Sequence, residues 1–491
     1  MPKLRRTSAP SPTRMRLITA TAAAAALTGG LFVASAGPVS AATPGVAQSD
    51  ADFNGDGAAD VVVSAPVAYV NGRAGAGQVA VLYGGGKHVT ISQNSAGVPG
   101  TAEAVDNFGF ATAYGDFDGD GFDDLAVGSP GEDGTDDPDG GTVAILWGSA
   151  GGLTSGTTVS DPRASSHDWF GYTLEAADFD GNGKDDLAVA TPNSATVDVI
   201  RGGSRTSTMG GTYTVTTPVQ SGQEGVGIRN LHSGDINGDG KDDLLANGFE
   251  KNSDGWDANF YLPGTASGVK AAGAVQLPAG IITDVGDVDS DGKGDIVFGL
   301  EWDDEIPGSQ LGGAVLIAHG TASGPDVSEI QTIDQDTAGV PGAGETGDDF
   351  GGELDLGDIN GDGHLDLVVG ARGENLDGIS NAGSITVLYG AADGSGITGA
   401  GAKFYSQDTP GVPNSNEKDD NFGSDVHIDD LDDDGRGEVV VGANGENGHN
   451  GAVYALHSNT DDTLSAAAGI YTSTLGISAS GAPQLGVNFA D

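Results

Sequence analysis

Cysteine is absent from the 491 residues, which removes disulfides, thiolate metal ligands and a cysteine nucleophile at once. Basic residues are scarce: 20 Lys and Arg stand against 71 Asp and Glu, a formal net charge of -51. A surface this acidic repels a phosphate backbone, so a nucleic-acid partner is excluded. Beyond residue 33 no apolar run is long enough to cross a bilayer. There is no G-x-S-x-G elbow, no H-E-x-x-H pair and no long amphipathic helical period. What the chain does have is 85 glycines, and acids set in a repeating order. Evenly spread, that much charge would signal disorder. Here the acids recur in nine-residue patterns, each followed by a short apolar run, which implies folded β-structure whose carboxylates face a cation.

The first 41 residues read as a targeting segment. Lys3, Arg5, Arg6, Arg14 and Arg16 precede an apolar run from Leu17 to Val33, and Val39-Ser40-Ala41 suits a signal peptidase. Arg5-Arg6 lies too far ahead of the apolar core for the twin-arginine route, so general secretion is expected, with a retained anchor as the alternative. Residues 42–49 read as a short linker and 50–491 as the folded unit.

That unit is built from seven copies. DFNGDGAAD begins at Asp52, DFDGDGFDD at Asp116, DFDGNGKDD at Asp178, DINGDGKDD at Asp235, DVDSDGKGD at Asp287, DINGDGHLD at Asp358 and DLDDDGRGE at Asp430. Eight residues upstream of four loops stand Phe108-Gly109, Phe170-Gly171, Phe350-Gly351 and Phe422-Gly423. Apolar runs such as Val61–Val63 and Leu125–Val127 follow, and second strands such as Gln78–Tyr83 and Thr142–Trp147 come later. A third phrase, SQNSAGVPG, DQDTAGVPG and SQDTPGVPN, precedes three of the Phe-Gly pairs.

Within each loop, positions 1, 3, 5 and 9 are always Asp, Asn or Glu, position 2 is always apolar and position 6 is always Gly. Alternate oxygen donors on a tightly turned backbone converge on one point, and hard oxygens in that number suit Ca²⁺ better than Mg²⁺. Position 7 varies freely, as expected if it gives only its backbone carbonyl. The expected ligands are Asp52, Asn54, Asp56, Ala58 and Asp60, then Asp116, Asp118, Asp120, Phe122 and Asp124. Asp178, Asp180, Asn182, Lys184 and Asp186 follow, then Asp235, Asn237, Asp239, Lys241 and Asp243. The last three sets are Asp287, Asp289, Asp291, Lys293 and Asp295; Asp358, Asn360, Asp362, His364 and Asp366; and Asp430, Asp432, Asp434, Arg436 and Glu438. Up to seven Ca²⁺ ions are therefore expected. An EF-hand needs an acid at position 12, where Val63, Val127, Val189, Ala246, Phe298, Val369 and Val441 stand instead.

Seven all-β units can stack in a line or close into a ring. The first loop lacks an upstream Phe-Gly strand, while Leu485-Gly486 begins a strand-like segment with no loop after it. Joining the two ends completes one unit, so the expectation is an all-β, seven-bladed propeller closed by its C-terminal strand.

The combination of Phe-Gly, a DxDxDGxxD loop, an apolar run and a small-residue strand resembles the FG-GAP repeat of the integrin α-subunit N-terminal propeller. The resemblance covers nearly all of residues 50–491. It implies seven blades of four antiparallel strands, calcium in hairpin loops on one face, and adhesion or ligand binding as the activity. Val226-Gly227 and Ala279-Gly280 replace Phe-Gly in the fourth and fifth units, so those blades are expected to be less regular.

Little else carries chemistry. The eight His are scattered, with surface or turn roles expected, and Asp123, Asp185 and Asp242 at loop position 8 are expected in solvent. Trp169 and Trp256 are expected in packing rather than on a sugar, and Glu132–Asp139 and Glu301–Pro307 as binding loops or solvated tips. The expected function is a secreted, monomeric, non-enzymatic scaffold for an extracellular protein or glycan. The alternative is a hydrolase or lyase with its centre on a propeller face or in the channel. Titratable groups gathered in the channel from several blades would favour the enzyme.

Overall fold

A computed structural model describes residues 51–134, 138–164, 168–222, 226–251, 257–303 and 306–490. The targeting segment, the linker and Trp256 lie outside the described residues. Seven antiparallel sheets follow one another along the chain, each a simple meander in sequence order. Blade one holds β1 (Val61–Ala65), β2 (Gln78–Tyr83) and β3 (Lys87–Ile91). Blade two holds β4 (Thr112–Gly115), β5 (Asp124–Ser129), β6 (Thr142–Trp147) and β7 (Ser155–Val159). Blade three holds β8 (Thr173–Ala177), β9 (Asp186–Ala190), β10 (Thr196–Ile200) and β11 (Thr212–Thr216), and blade four β12 (Ile228–Gly234), β13 (Asp243–Phe249), β14 (Asp257–Leu262) and β15 (Val275–Gln276). Blade five holds β16 (Ile282–Gly286), β17 (Asp295–Leu300), β18 (Ala314–Thr321) and β19 (Gly324–Ile333). Blade six holds β20 (Phe350–Gly357), β21 (Asp366–Ala371), β22 (Ser384–Leu388) and β23 (Lys403–Tyr405), and blade seven β24 (Phe422–Asp429), β25 (Glu438–Ala443), β26 (Ala452–Ser458) and β27 (Leu464–Tyr471). Two helices of four residues, α1 (Glu446–His449) and α2 (Thr472–Leu475), sit in connections of blade seven.

The apolar runs after each loop are the second strands, buried on both faces because each blade is covered by two others. The core accordingly lies between blades. Phe422 is wholly buried among Ile385 and Val387 of blade six and Val441 and Tyr454 of its own blade. Gly423 follows in the left-handed region at φ +85°, and a Cβ there would strike the Ser384 carbonyl of the preceding blade. The Phe-Gly pair is thus a corner: one residue fills the junction and the next lets two backbones approach.

The C-terminal segment repeats that corner and closes the ring. Leu485 bridges Gly451 of blade seven, as Phe422 bridges Gly383. Beyond it the Ser64 amide donates to the Asn488 carbonyl at 2.9 Å and the Gly486 amide to the Ser64 carbonyl at 3.2 Å, while Val63 pairs antiparallel with Phe489. The segment is the missing inner strand of blade one. Of the two blades expected to be irregular, blade four has an outer strand of only two residues. Blade five is complete, its first two strands pairing in continuous register as at Val285↔Ile296, and it carries the longest of the described strands, β19.

Candidate metal loops and the ring they form

In blades two to seven the nine-residue loop joins the first strand to the second, in blade one it leads into the second strand, and each loop is curled by its own first residue. Asp116 Oδ1 accepts the amides of Gly119 at 2.7 Å and Asp120 at 3.0 Å, and Oδ2 accepts that of Gly121 at 2.9 Å. Bonds from positions 5 and 6 to position 1 recur in all seven loops, from Asp52 to Asp430. Position 6 is a left-handed glycine throughout, and Ser290 and Asp433 take left-handed φ at position 4, where the other loops have Gly. The Ser290 loop keeps the shape of its neighbours.

Position 9 lies at the floor. Asp60, Asp124, Asp186, Asp243, Asp295, Asp366 and Glu438 are all buried. Each accepts an amide from the end of the blade's third strand, as Gly148 donates to Asp124 at 2.8 Å and Gly390 to Asp366 at 2.9 Å. The apolar position 2 anchors the loop, with Phe53, Phe117, Phe179 and Ile236 wholly buried. Burial, reinforced by neighbouring carboxylates, pushes Asp124 and Asp366 up to about 8, and Asp60, Asp186, Asp243 and Glu438 up to about 7. Asp124 Oδ2 and Asp186 Oδ2 are buried without a hydrogen-bond partner.

Carboxylate oxygens of Asp116, Asp118 and Asp124 lie within 4.8 Å of one another, as do those of Asp287, Asp289 and Asp291, and of Asp430, Asp432 and Glu438. In two of the three loops with Asn at position 3 the amide turns to the floor, Asn237 Nδ2 reaching Asp243 at 3.2 Å and Asn54 Nδ2 reaching Asp60 at 3.4 Å. The donor set fits a hard cation: mostly oxygen atoms, several anionic, some buried and unpartnered, with a His nitrogen beside the acids in two loops. Nearby side-chain cations lie mainly at the rim. Arg205 pairs with Asp118 and Asp120, Lys293 with Asp291 at 2.7 Å and Lys241 with Asp239 at 2.9 Å.

Three sequence expectations need correction here. Asp123, Asp185 and Asp242 do not point into solvent. They accept the amides of Asp52, Asp116 and Asp178 in the preceding loop at 2.8, 2.8 and 3.1 Å. Burial pushes them up to about 7, 6 and 7. Position 7 is not indifferent to its side chain either. The Phe122 ring packs on Gly55, Lys184 reaches the Asp118 carbonyl, and His364 Nδ1 meets Ser290 Oγ at 3.2 Å, each on the loop before. Lastly, two His stand at equivalent places beside loops. His319 Nδ1 is 3.1 Å from Asp295, and His457 Nδ1 is 3.0 Å from Glu438, both at the end of a third strand. Their signal was position within the repeat, immediately before the residue whose amide reaches position 9.

The inner strands also line an axial cavity with Tyr114, His232, Asp284, Asp355, His427 and Asp429. Burial pushes His232 down to about 4. Burial opposes the charge on His427 too, but Asp429 at 2.6 Å and Asp355 at 3.3 Å outweigh it and hold its imidazolium well above the usual range. The carboxylates are also tied to backbone: Asp284 accepts the Leu356 amide at 2.8 Å and Asp355 the Ile428 amide at 2.6 Å, each on the next blade. The Glu301–Pro307 insert, described except for residues 304–305, is no free tip. Glu301 pairs with Arg372 at 2.6 Å, and Trp302 packs against the cluster containing Phe298 and Leu300.

The family profile for the FG-GAP repeat matches residues 50–82, 108–146, 350–388 and 422–456, and that for the FG-GAP-like repeat matches 178–246. The chain carries FG-GAP repeats. Curated proteins similar to this FG-GAP propeller include the phosphatidylinositol-glycan-specific phospholipase D of Mus musculus, 35% identical over 152 residues. That match covers 30% of this chain and 18% of the relative. Integrin alpha-PS2 of Drosophila melanogaster is 27% identical over 265 residues, 54% of this chain and 15% of the integrin. The FG-GAP propeller thus spans less than a fifth of either relative. Among solved structures, the exotype rhamnogalacturonan lyase YesX aligns with a TM-score of 0.42 at 14% identity, covering 85% of this chain and 72% of the lyase. Among the described residues no helix is long and apolar enough to cross a membrane.

Proposed function

We propose that this chain is an exported calcium-binding propeller that acts as a non-enzymatic scaffold, presenting a stiffened surface to an extracellular protein or glycan. One observation carries the metal reading: seven loops share one curl over a buried acidic floor, with Asp124 Oδ2 and Asp186 Oδ2 unpartnered. Seven divalent ions held by Asp52, Asp116, Asp178, Asp235, Asp287, Asp358, Asp430 and their loop partners would neutralise these floors and lock the ring on one face. Affinities of about 10⁻⁴ to 10⁻³ M, usual for extracellular calcium modules, are expected. Export is supported by the basic-apolar-small order of residues 1–41, and a binding role by the similarity to an integrin α chain. The test is binding of the purified protein to immobilised glycans and extracellular proteins, with and without chelator, beside turnover assays on ester, glycan and phosphate substrates. Calcium-dependent binding without turnover is the expected result.

A second reading, a hydrolase or lyase acting in the channel, is favoured by the His427–Asp429–Asp355 group and His232, drawn from three different blades. Turnover that disappears in His427→Ala would establish it in place of the scaffold.

A further inference from the structure

A second family of oxygen clusters recurs at three blade junctions, at the end of the blades away from the nine-residue loops. In each, three pieces of chain meet. The connection leaving an outer strand brings the Gln of the shared phrase: Gln93, Gln335 or Gln407. Thirteen residues later, two before a Phe-Gly corner, comes Asp106, Asp348 or Asp420. The connection between second and third strands of the following blade brings Glu132, Glu374 or Glu446. Each Gln Nε2 donates to its Glu across 39 residues, at 2.5, 2.8 and 2.6 Å in chain order. The glycine amide just before each Glu donates to the carbonyl of the Asp, at 3.2, 3.0 and 3.1 Å. Blades one and two, five and six, and six and seven are joined in the same way.

The clusters leave oxygen unused. Oε1 of Gln93, Gln335 and Gln407 is buried in all three with no hydrogen-bond partner, and so is Asp348 Oδ1. Asp348 and Gln407 are 0% exposed, and Asp106, Gln93, Gln335, Asp420 and Glu446 at most 4%. The other Asp oxygen is already taken by the amide of Glu103, Glu345 or Glu417, at 2.5, 2.8 and 2.8 Å. Burial and then neighbouring carboxylates push Glu374 and Asp420 up to about 7 and Asp348 to about 6, and shift Asp106 and Glu132 upward as well. The strongest charges acting on these groups are all acidic. Two buried carboxyls beside an orphaned amide oxygen are costly unless a cation or donor answers them.

We propose that these junctions are three further cation sites, each taking one hard divalent ion of the calcium class between the Gln Oε1, the Asp carboxylate and the Glu carboxylate. The donors are one neutral and two anionic oxygens, with no nitrogen or sulfur, so a calcium-like ion is preferred to zinc or copper. A bound ion would rivet adjacent blades at the face opposite the loops.

The test uses the full chain in millimolar calcium. Anomalous diffraction should show an ion at each junction, and native mass spectrometry should show one fewer ion for each of Gln93→Met, Gln335→Met and Gln407→Met. Methionine preserves the length of the side chain while removing the carbonyl. Asp116→Ala serves as control: it should remove a loop ion and leave the junction ions, so failure of the loop reading is seen separately. Water in place of an ion at all three junctions of the wild-type crystal would overturn the proposal. So would an undiminished ion count in all three methionine variants.

Discussion

Asp123 accepts the backbone amide of Asp52 at 2.8 Å and returns its own amide to the Asp52 carbonyl at 3.3 Å, stapling the second loop to the first. The same reciprocal pair joins Asp185 to Asp116 and Asp242 to Asp178. A single amide bond continues the chain of contacts from Gly294 to Asp235, from Gly437 to Asp358 and from Ala59 to Asp430. Asp123→Ala leaves the Asp52 amide without its acceptor, so stability should drop by about 1–3 kcal/mol. Chemical denaturation in calcium measures this; a change near zero would return Asp123 to the role of a solvated surface acid.

Asp116→Ala removes both the curl and one ligand from the second loop. Native mass spectrometry should show one ion fewer, with the circular dichroism of a folded β protein retained. Loss of several ions at once would mean that the staples make the loops bind as a unit.

The buried floors set a pH dependence for the metal-free chain. Asp60, Asp124, Asp186, Asp243, Asp366 and Glu438 have folded pKa values raised to about 7 or 8 from ordinary values near 4. Between those limits the folded state holds protons that the unfolded state has released, so stability falls as pH rises. In chelator the melting temperature should therefore fall from about pH 5 to about pH 8. Excess calcium should raise it most at the upper end, where the carboxylates are free to bind the ion. A metal-free melting temperature that climbs across this range would contradict the assignment.

Phe422 fills the junction between blades six and seven with a ring that is 0% exposed. Phe422→Ala should cost about 3–5 kcal/mol, the usual range for emptying such a site. A loss below about 1 kcal/mol, typical of a surface change, would show that the corner is held by Gly423 and its backbone contacts instead.

Much of this architecture was legible in the sequence, because the acids of a loop are neighbours in the chain. Asp116 to Asp124 declare their chemistry within nine residues, and Gly121 declares the turn. Closure was legible too, since Leu485-Gly486 copies a corner whose partner strand is missing elsewhere. What stayed hidden lies between blades. Asp123 meets Asp52 across 71 residues, and Gln335 meets Glu374 across 39. No local period relates such partners, and among the described residues the Gln–Asp–Glu set is seen at three junctions. His319 and His457 were obscured for a similar reason, because Tyr83, Trp147, Arg201, Pro263 and Tyr389 occupy their place in the other blades.

Ser64 and Asn488 meet in a single sheet built from the two far regions of the folded chain. The circle therefore has one clasp, where the last blade meets the first. Unfastening it bares the edge of β1, which would then pair with the same segment from a second molecule. Strand exchange at that clasp is the route by which this protein would be expected to form swapped dimers or aggregates, and its strength would govern how long the monomer lasts.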